Sequence, residues 1–400
     1  MSDLDTVLDE FLAAHLEELV AFRRHLHAHP ERGYEEHETT ALIAQRLQVA
    51  GLTPRRLSVG TGVLCDLPGP DAPGPRVALR ADIDALAMTD EKEVAYRSQH
   101  EGIAHACGHD VHTTIVLGCG LALTGLLAGS PGGIRLVFQP AEETVPGGAV
   151  DVIADDGLDG VEAIFGLHCD PKLDVGRFGV RVGPITAAAD LVEIRLHGPG
   201  GHTARPSLTI DLIETAGEVA TTLPARLRQR EPALSLVFGS VHAGDAANVI
   251  PSLAVLRGSV RTPDRRAWAA APALVDEELT RLLARSGAAH DISYSQGPPP
   301  VDNDAAATAL LADAARAALG ADSVTESPQS QGGDDFAWYL ERVRGSYGRL
   351  GVRNAGTTDP PLDLHASTFD VDERAIGCGI RVLTRAALLA LDRLRLDERG

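Results

Sequence analysis

The chain opens with apolar residues at helical spacing. Leu4, Val7, Leu8, Phe11, Leu12, Leu16, Leu19 and Val20 share one face of a 3.6-residue period, which predicts an amphipathic helix stopped by Pro30. A second helix is expected from about Glu36 to Ala50, closed by Gly51. The pattern then changes to short apolar runs. Gly62 to Cys65, Arg76 to Arg80, Gly133 to Phe138 and Ala163 to Leu167 have strand length, and helical patterning fills Thr113 to Leu127 and Gly148 to Asp155. Strands alternating with helices predict a mostly parallel or mixed sheet covered on both faces.

The texture changes near Gly183-Pro184. Leu191 to His197 alternates apolar and polar residues, as a half-exposed strand does. A helix from about Thr209 to Leu227, strands near 234–241 and 253–262, a helix over about 265–285 and a strand at 290–295 follow. That order, β-α-β-β-α-β, is the split ferredoxin-like arrangement. Gly297-Pro298-Pro299-Pro300 reads as a stiff linker, after which helix and strand return up to a C-terminal helix near Arg374 to Arg393. The expected fold class is therefore α/β. A mixed-sheet catalytic domain is built from residues 1–183 and 299–400, and a compact ferredoxin-like domain, residues 184–298, is inserted into it.

Composition narrows the function. A length of 400 residues suits about two domains, and 44% hydrophobic with 23% charged residues is a globular balance. A formal net charge of -20 repels phosphate backbones and argues against nucleic-acid binding. It leaves room for a small anionic substrate held by local arginines. The five cysteines, Cys65, Cys107, Cys119, Cys169 and Cys378, are odd in number and contain no C-x-x-C pair, which points to a reducing compartment. The start, Met1 to Asp5, is acidic, and the apolar runs are short and broken by glycine. A cytoplasmic protein with no membrane partner is expected.

His105-Ala106-Cys107-Gly108-His109-Asp110 concentrates metal-type chemistry in six residues. A thiolate and a neutral imidazole two positions apart suit a borderline-soft divalent ion, but two ligands do not make a site. Others stand at the ends of expected strands: Glu142-Glu143 after GIRLVFQPA, His168 after AIFGL, Asp82 and Asp84 after RVALR, and His365 further along. Cys107, His109, Glu143, His168 and His365 are too many for one catalytic zinc, which keeps an open position, and suit two ions sharing a bridging water. In an extended segment neighbouring side chains point in opposite directions. Glu143 can then bind metal while Glu142 faces the cavity as a proton carrier. His25, His27 and His29 are two apart on a helix, share no face, and read as structural. His105 and His112 stay open between supporting a ligand and an ordinary core hydrogen bond.

These residues resemble the M20 metallopeptidase and amidohydrolase clan, in particular its branch of aminoacylases, hippurate hydrolases and auxin-conjugate hydrolases. The resemblance covers almost the whole chain. It is carried by RRHLHAHPE at 23–31, ALRADIDAL at 78–86, HACGHDVH at 105–112, FQPAEE at 138–143 and GLH at 166–168. GPGGHTARP at 198–206, NVIP at 248–251, GGDDF at 332–336 and LHASTFDVDE at 364–373 continue it. It implies that the inserted domain is a lid or dimerisation domain. It implies that Cys107, His109, Glu143, His168 and His365 hold two divalent ions per subunit, zinc first, with manganese, cobalt or nickel as alternatives, and that Glu142 is the general acid/base. His202 would stabilise the oxyanion from a neighbouring subunit, and Asn248 and Arg261 would hold the substrate carboxylate. Elsewhere in the clan a ligand histidine occupies the slot of Arg80 here, so Asp82 is left to orient a ligand histidine. Ser207, Leu212, GGDDF and Pro146-Gly147-Gly148 depart from the branch pattern without removing a ligand. The expected activity is hydrolysis of the amide bond of N-acyl amino acids by a homodimer or homotetramer. The alternatives are a dipeptidase or metallocarboxypeptidase acting on dipeptide-like substrates, or a non-catalytic metal-binding scaffold.

Overall fold

The computed structural model describes residues 2–69, 74–127, 132–354, 356 and 363–397. The chain divides into two compact units. One comprises Met1–Ile185, Asp302–Pro328 and Asp335–Gly400; the other comprises Thr186–Val301 and Gln329–Asp334.

The first unit is built on an eight-stranded sheet. Its order is Arg55–Arg56, Val63–Leu67, Gly133–Gln139, Arg76–Asp82, Val161–Asp174, Arg344–Arg353, Phe178–Val180 and Val324–Glu326. The pairings within Gly133–Gln139, Arg76–Asp82, Val161–Asp174 and Arg344–Arg353 are parallel, whereas Val63–Leu67 joins Gly133–Gln139 antiparallel, so the sheet is mixed. Burial on both faces explains why Val77, Ala78, Leu79 and Ala81 are all apolar, with the buried Arg80 the one interruption. Helices Ser2–Ala28, His109–Leu123 and Arg374–Asp397 share one core with the sheet through Leu19, Ile115, Leu136 and Ile380. Gly118 and Gly120 let the middle helix come close, since a Cβ on them would collide with Ile380 and Leu136.

Two differences from expectation bear on the site. The helix expected from Thr113 begins at His109, because Gly108, at φ 88°, turns the loop directly into it. The strand expected to end at Leu167 runs on to Asp174, because Arg344–Arg353 pairs with it along that length. His168 therefore lies inside a strand and not beyond its end. The strands Phe178–Val180 and Val324–Glu326 are too short to leave a periodic signature.

The second unit holds a four-stranded antiparallel sheet in the order Ser235–Ala243, Leu253–Thr262, Ala188–His197 and Ala289–Ser295. Helices Leu212–Arg230 and Arg265–Leu283 pack on it, and its elements run β-α-β-β-α-β. Val192, Ile194 and Leu196 alternate with more exposed residues and join Val219, Leu223 and Leu279 in a separate core. The first helix starts at Leu212 because the Asp211 side chain accepts from the amides of Ile213 and Glu214. A short ribbon pairs Gly201–His202 with Val249–Ile250. Among the described residues no helix is long and apolar enough to cross a membrane.

Candidate metal centre

Three loops of the first unit bring the expected ligands together. The loop before His109 lies against the strand Val161–Asp174 at Gly108. Its left-handed φ favours glycine, and an added Cβ would stand 2.8 Å from the Cys169 Sγ. This close approach sets the Cys107 Sγ 3.3 Å from the His168 Nε2. The loop of His365 is tied to the same segment, because the His365 amide donates to the Ala106 carbonyl at 2.8 Å.

The third loop carries the glutamate pair, and it is a turn, not the extended segment expected. Ala141 adopts φ 54°, and its amide donates to Glu36 Oε1 at 2.7 Å. The Glu143 amide donates to Asp84 Oδ2 at 2.9 Å. The two carboxylates consequently do not point apart. Glu142 Oε2 and Glu143 Oε1 each come within 3.9 Å of the same atom, His109 Nε2, and Glu143 Oε1 lies 3.4 Å from His365 Nε2.

Two triads are made wholly of these expected ligands, beside others that bring in Glu142, Asp82 and His112. Cys107, His109 and His168 form one, Cys107, Glu143 and His365 another, each with its ligand atoms within 4.8 Å of one another. The buried His109 Nε2 and Glu143 Oε1 have no hydrogen-bond partner, which is costly for polar atoms out of water. Convergent lone pairs without shared protons are what a cation would satisfy, so these residues fit one. The surrounding charges set each of these groups differently. Burial, with the negative charge of Glu143, pushes the Cys107 thiol above its ordinary value, so its thiolate needs a cation beside it. Burial, the Arg349 charge and His112 drive His168 well down, leaving the neutral imidazole that binds metals. For His109, burial works against the charged form, but Asp82 and Asp84 outweigh it and raise the imidazole well above its usual range.

The supports differ from the simplest expectation. His112 Nδ1 donates to Asp82 Oδ1 at 2.7 Å, and its Nε2 accepts from the Cys169 amide at 2.9 Å. Both nitrogens are used, so His112 braces the His168 strand. Asp82 thus directs His112, while His109 Nδ1 is held by Asp84, 3.1 Å from Oδ1 and 3.0 Å from the carbonyl oxygen. Arg80, 1% exposed, occupies the slot beside them. It donates to Asp82 at 2.7 Å, Gln139 at 2.8 Å and Asp335 at 2.8 Å. Asp335, in the divergent GGDDF stretch, also accepts from the Ala149 amide at 3.0 Å. That stretch therefore braces the sheet and the turn after Pro146-Gly147-Gly148. His27 is fully buried and, with Arg23, engages Asp110 at 2.7 Å, while Lys92 bonds its other nitrogen. Asp110 anchors the loop from behind. Both ring nitrogens of buried His105 lack a partner, and burial pushes it down to about 3.

Glu36 left no signal in the sequence beyond a helix start, yet it holds the turn that aims Glu142 and Glu143. Burial, joined by the Asp84 charge, pushes its carboxyl up to about 7 from 4.5. A raised acid stabilises the fold fully below its unfolded value and loses that contribution as pH rises through the folded one. Glu36→Gln keeps the acceptor and cannot ionise. Its stability relative to the natural chain should therefore increase between about pH 5 and pH 8, by up to about 3 kcal/mol. Urea unfolding at both pH values checks this; a difference independent of pH would count against a protonated Glu36.

The remaining candidates lie in the second unit. His202 is exposed on the short ribbon opposite Val249, and its Nδ1 accepts from the Ala204 amide at 3.1 Å. Asn248 is its neighbour there, with its carbonyl accepting from the Thr203 amide at 3.3 Å. Arg261 stands on the strand Leu253–Thr262 and donates to the Gln331 carbonyl at 2.7 Å.

The family model for peptidase family M20/M25/M40 matches residues 78–389. An N-acetyl-L-cysteine deacetylase of Bacillus subtilis (strain 168) is 39% identical over 362 residues, covering 90% of this chain and 85% of that protein. A longer protein of Rhodococcus jostii (strain RHA1), bearing the name of a glutamate–cysteine ligase, is 45% identical over 398 residues; the chain spans 48% of its length. Among solved structures, a Bacillus subtilis protein described as a dinuclear metal binding peptidase from the M20 family superposes with a TM-score of 0.82 at 33% identity, covering 95% of this chain and 99% of that one. With Cys107, His109, Glu143, His168 and His365 inside the matched region, the chain belongs to peptidase family M20/M25/M40, in its amidohydrolase branch.

Proposed function

We propose that the protein hydrolyses the amide bond of N-acyl amino acids at a centre of two divalent ions. The observation that carries this reading is the convergence of Cys107, His109, Glu143, His168 and His365 in two triads that share Cys107, with Glu142 beside them. The triads would hold one ion each, and the thiolate favours zinc over manganese, cobalt or nickel. When bound, such ions polarise a carbonyl and make a coordinated water acidic.

The protein's own groups supply the rest. The Glu142 carboxylate takes a proton from the attacking water and delivers it to the departing amine nitrogen. His202, contributed by a second copy in a homodimer, gives a hydrogen bond to the carbonyl oxygen as it gains charge. Asn248 and Arg261 hold the substrate carboxylate, the guanidinium in bidentate fashion. The scattered free thiols favour a cytoplasmic setting.

The test is a substrate panel read by release of free amine. Protein stripped by a chelator and repleted with zinc or manganese is expected to cleave N-acetyl or N-benzoyl amino acids; stripped protein is not. Turnover that survives complete metal removal, or no turnover on any N-acyl amino acid after repletion, rejects the reading. A strict monomer at assay concentration would remove the role of His202 from a second copy.

A further inference from the structure

The strand Arg344–Arg353 runs parallel to the strand that carries His168, and Arg349 stands in register with His168. Partners in register project to the same face of a sheet, and so do residues two apart along a strand. His168, Tyr347 and Arg349 therefore share one face. The Tyr347 ring centre lies 6.3 Å from the His168 ring, and the Arg349 guanidinium lies 5.7 Å from the Tyr347 ring centre. Arg349 is half-buried and, among the described residues, has no hydrogen bond and no ion pair; its partner is the tyrosine ring.

Its neighbours are provided for. Arg353 pairs with Asp174 at 2.5 Å, Arg181 donates to the Pro184 carbonyl at 2.9 Å, and Arg80 has two buried carboxylates. In a chain with 56 acidic and 36 basic residues, a carboxylate would be easy to supply. A half-buried cation next to a metal ligand, stacked on an aromatic face and without a counter-ion, is a ready receptor for an anion brought from outside.

We propose that Arg349 binds a carboxylate on the acyl group of the substrate, so that the preferred substrates are half-amides of a dicarboxylic acid with an amino acid. This rests on the amidohydrolase reading, which assigns the carboxylate of the amine portion to Asn248 and Arg261.

The test compares, on zinc-loaded protein, the N-succinyl derivative of one amino acid with its methyl half-ester, which has the same chain without the charge. The natural protein should favour the acid in kcat/KM by about 10- to 100-fold, the range of a charge-assisted hydrogen-bonded pair. Arg349→Met, which keeps the apolar stem, should bring the ratio near unity, and Arg349→Lys should fall between. No preference in the natural protein, or a ratio unchanged in Arg349→Met, overturns the proposal. So does an equal loss on acid and ester, which would place Arg349 on the amine's own carboxylate. If neither these nor N-acetyl and N-benzoyl substrates turn over, the hydrolase reading has failed separately. Calorimetric titration of acid against ester on the natural protein and Arg349→Met then still decides whether Arg349 reads the anion.

Discussion

Glu142→Gln is expected to lower kcat on an N-acyl amino acid by about 10²- to 10⁴-fold, the usual worth of a positioned general acid/base, while metal content stays at the natural value. The geometry makes this discriminating. Glu142 Oε2 stands as far from His109 Nε2 as Glu143 Oε1 does, 3.9 Å in each case, so either carboxylate could in principle be a ligand. Glu143 differs by its contact with His365, 3.4 Å away, and by the orphaned, buried state of its Oε1. A glutamine at 142 preserves volume and removes the basic oxygen. If Glu142 carries protons, elemental analysis will find the same metal per chain and kinetics will find the loss. Turnover as in the natural protein would dismiss the assigned base. A matching drop in metal stoichiometry would move Glu142 into the ligand set.

Arg80→Met is expected to destabilise the fold by about 3–5 kcal/mol, the range seen when one member of a buried ion pair is removed. The guanidinium ties two strand ends, at Asp82 and Gln139, to the loop residue Asp335 with bonds of 2.7–2.8 Å, and lies over the Phe336 ring. Without it, two buried carboxylates, each 1% exposed or less, lose a buried counter-charge. Arg80→His would restore the histidine found at this slot elsewhere in the clan, yet a single imidazole cannot span the same three acceptors. A comparable loss is expected from it, with no gain in metal affinity. Urea midpoints at an unchanged m-value measure both; a shift worth less than about 1 kcal/mol would show that the brace is dispensable.

What the sequence made legible follows from how local each signal is. The candidate ligands Cys107, His109, Glu143 and His168 were readable because each follows or precedes a run of apolar residues whose burial is visible in the chain itself. The turn at Glu142-Glu143 was not. It depends on a positive φ at Ala141 held by Glu36, 105 residues away, and a non-glycine residue gives no local sign of that conformation. The extension of the His168 strand was equally hidden, since it comes from pairing with residues 344–353. The exchange of partners, Asp82 to His112 and Asp84 to His109, turns on small differences in reach between side chains on adjacent elements. Arg349 is the extreme case, because an arginine in a strand means nothing until it is seen to have no carboxylate beside it among the described residues.

The strand order has a consequence for how the molecule is made. Arg344–Arg353 sits between Val161–Asp174 and Phe178–Val180, so the sheet is filled from within by a segment that leaves the ribosome long after both of its neighbours. A nascent chain has nothing to place along the outer edge of Val161–Asp174 until that segment emerges. His365 emerges later still. The five candidate ligands therefore come together only after His365 has emerged, and before residues 344–353 appear the growing chain presents an open strand edge of the kind that invites pairing with other chains.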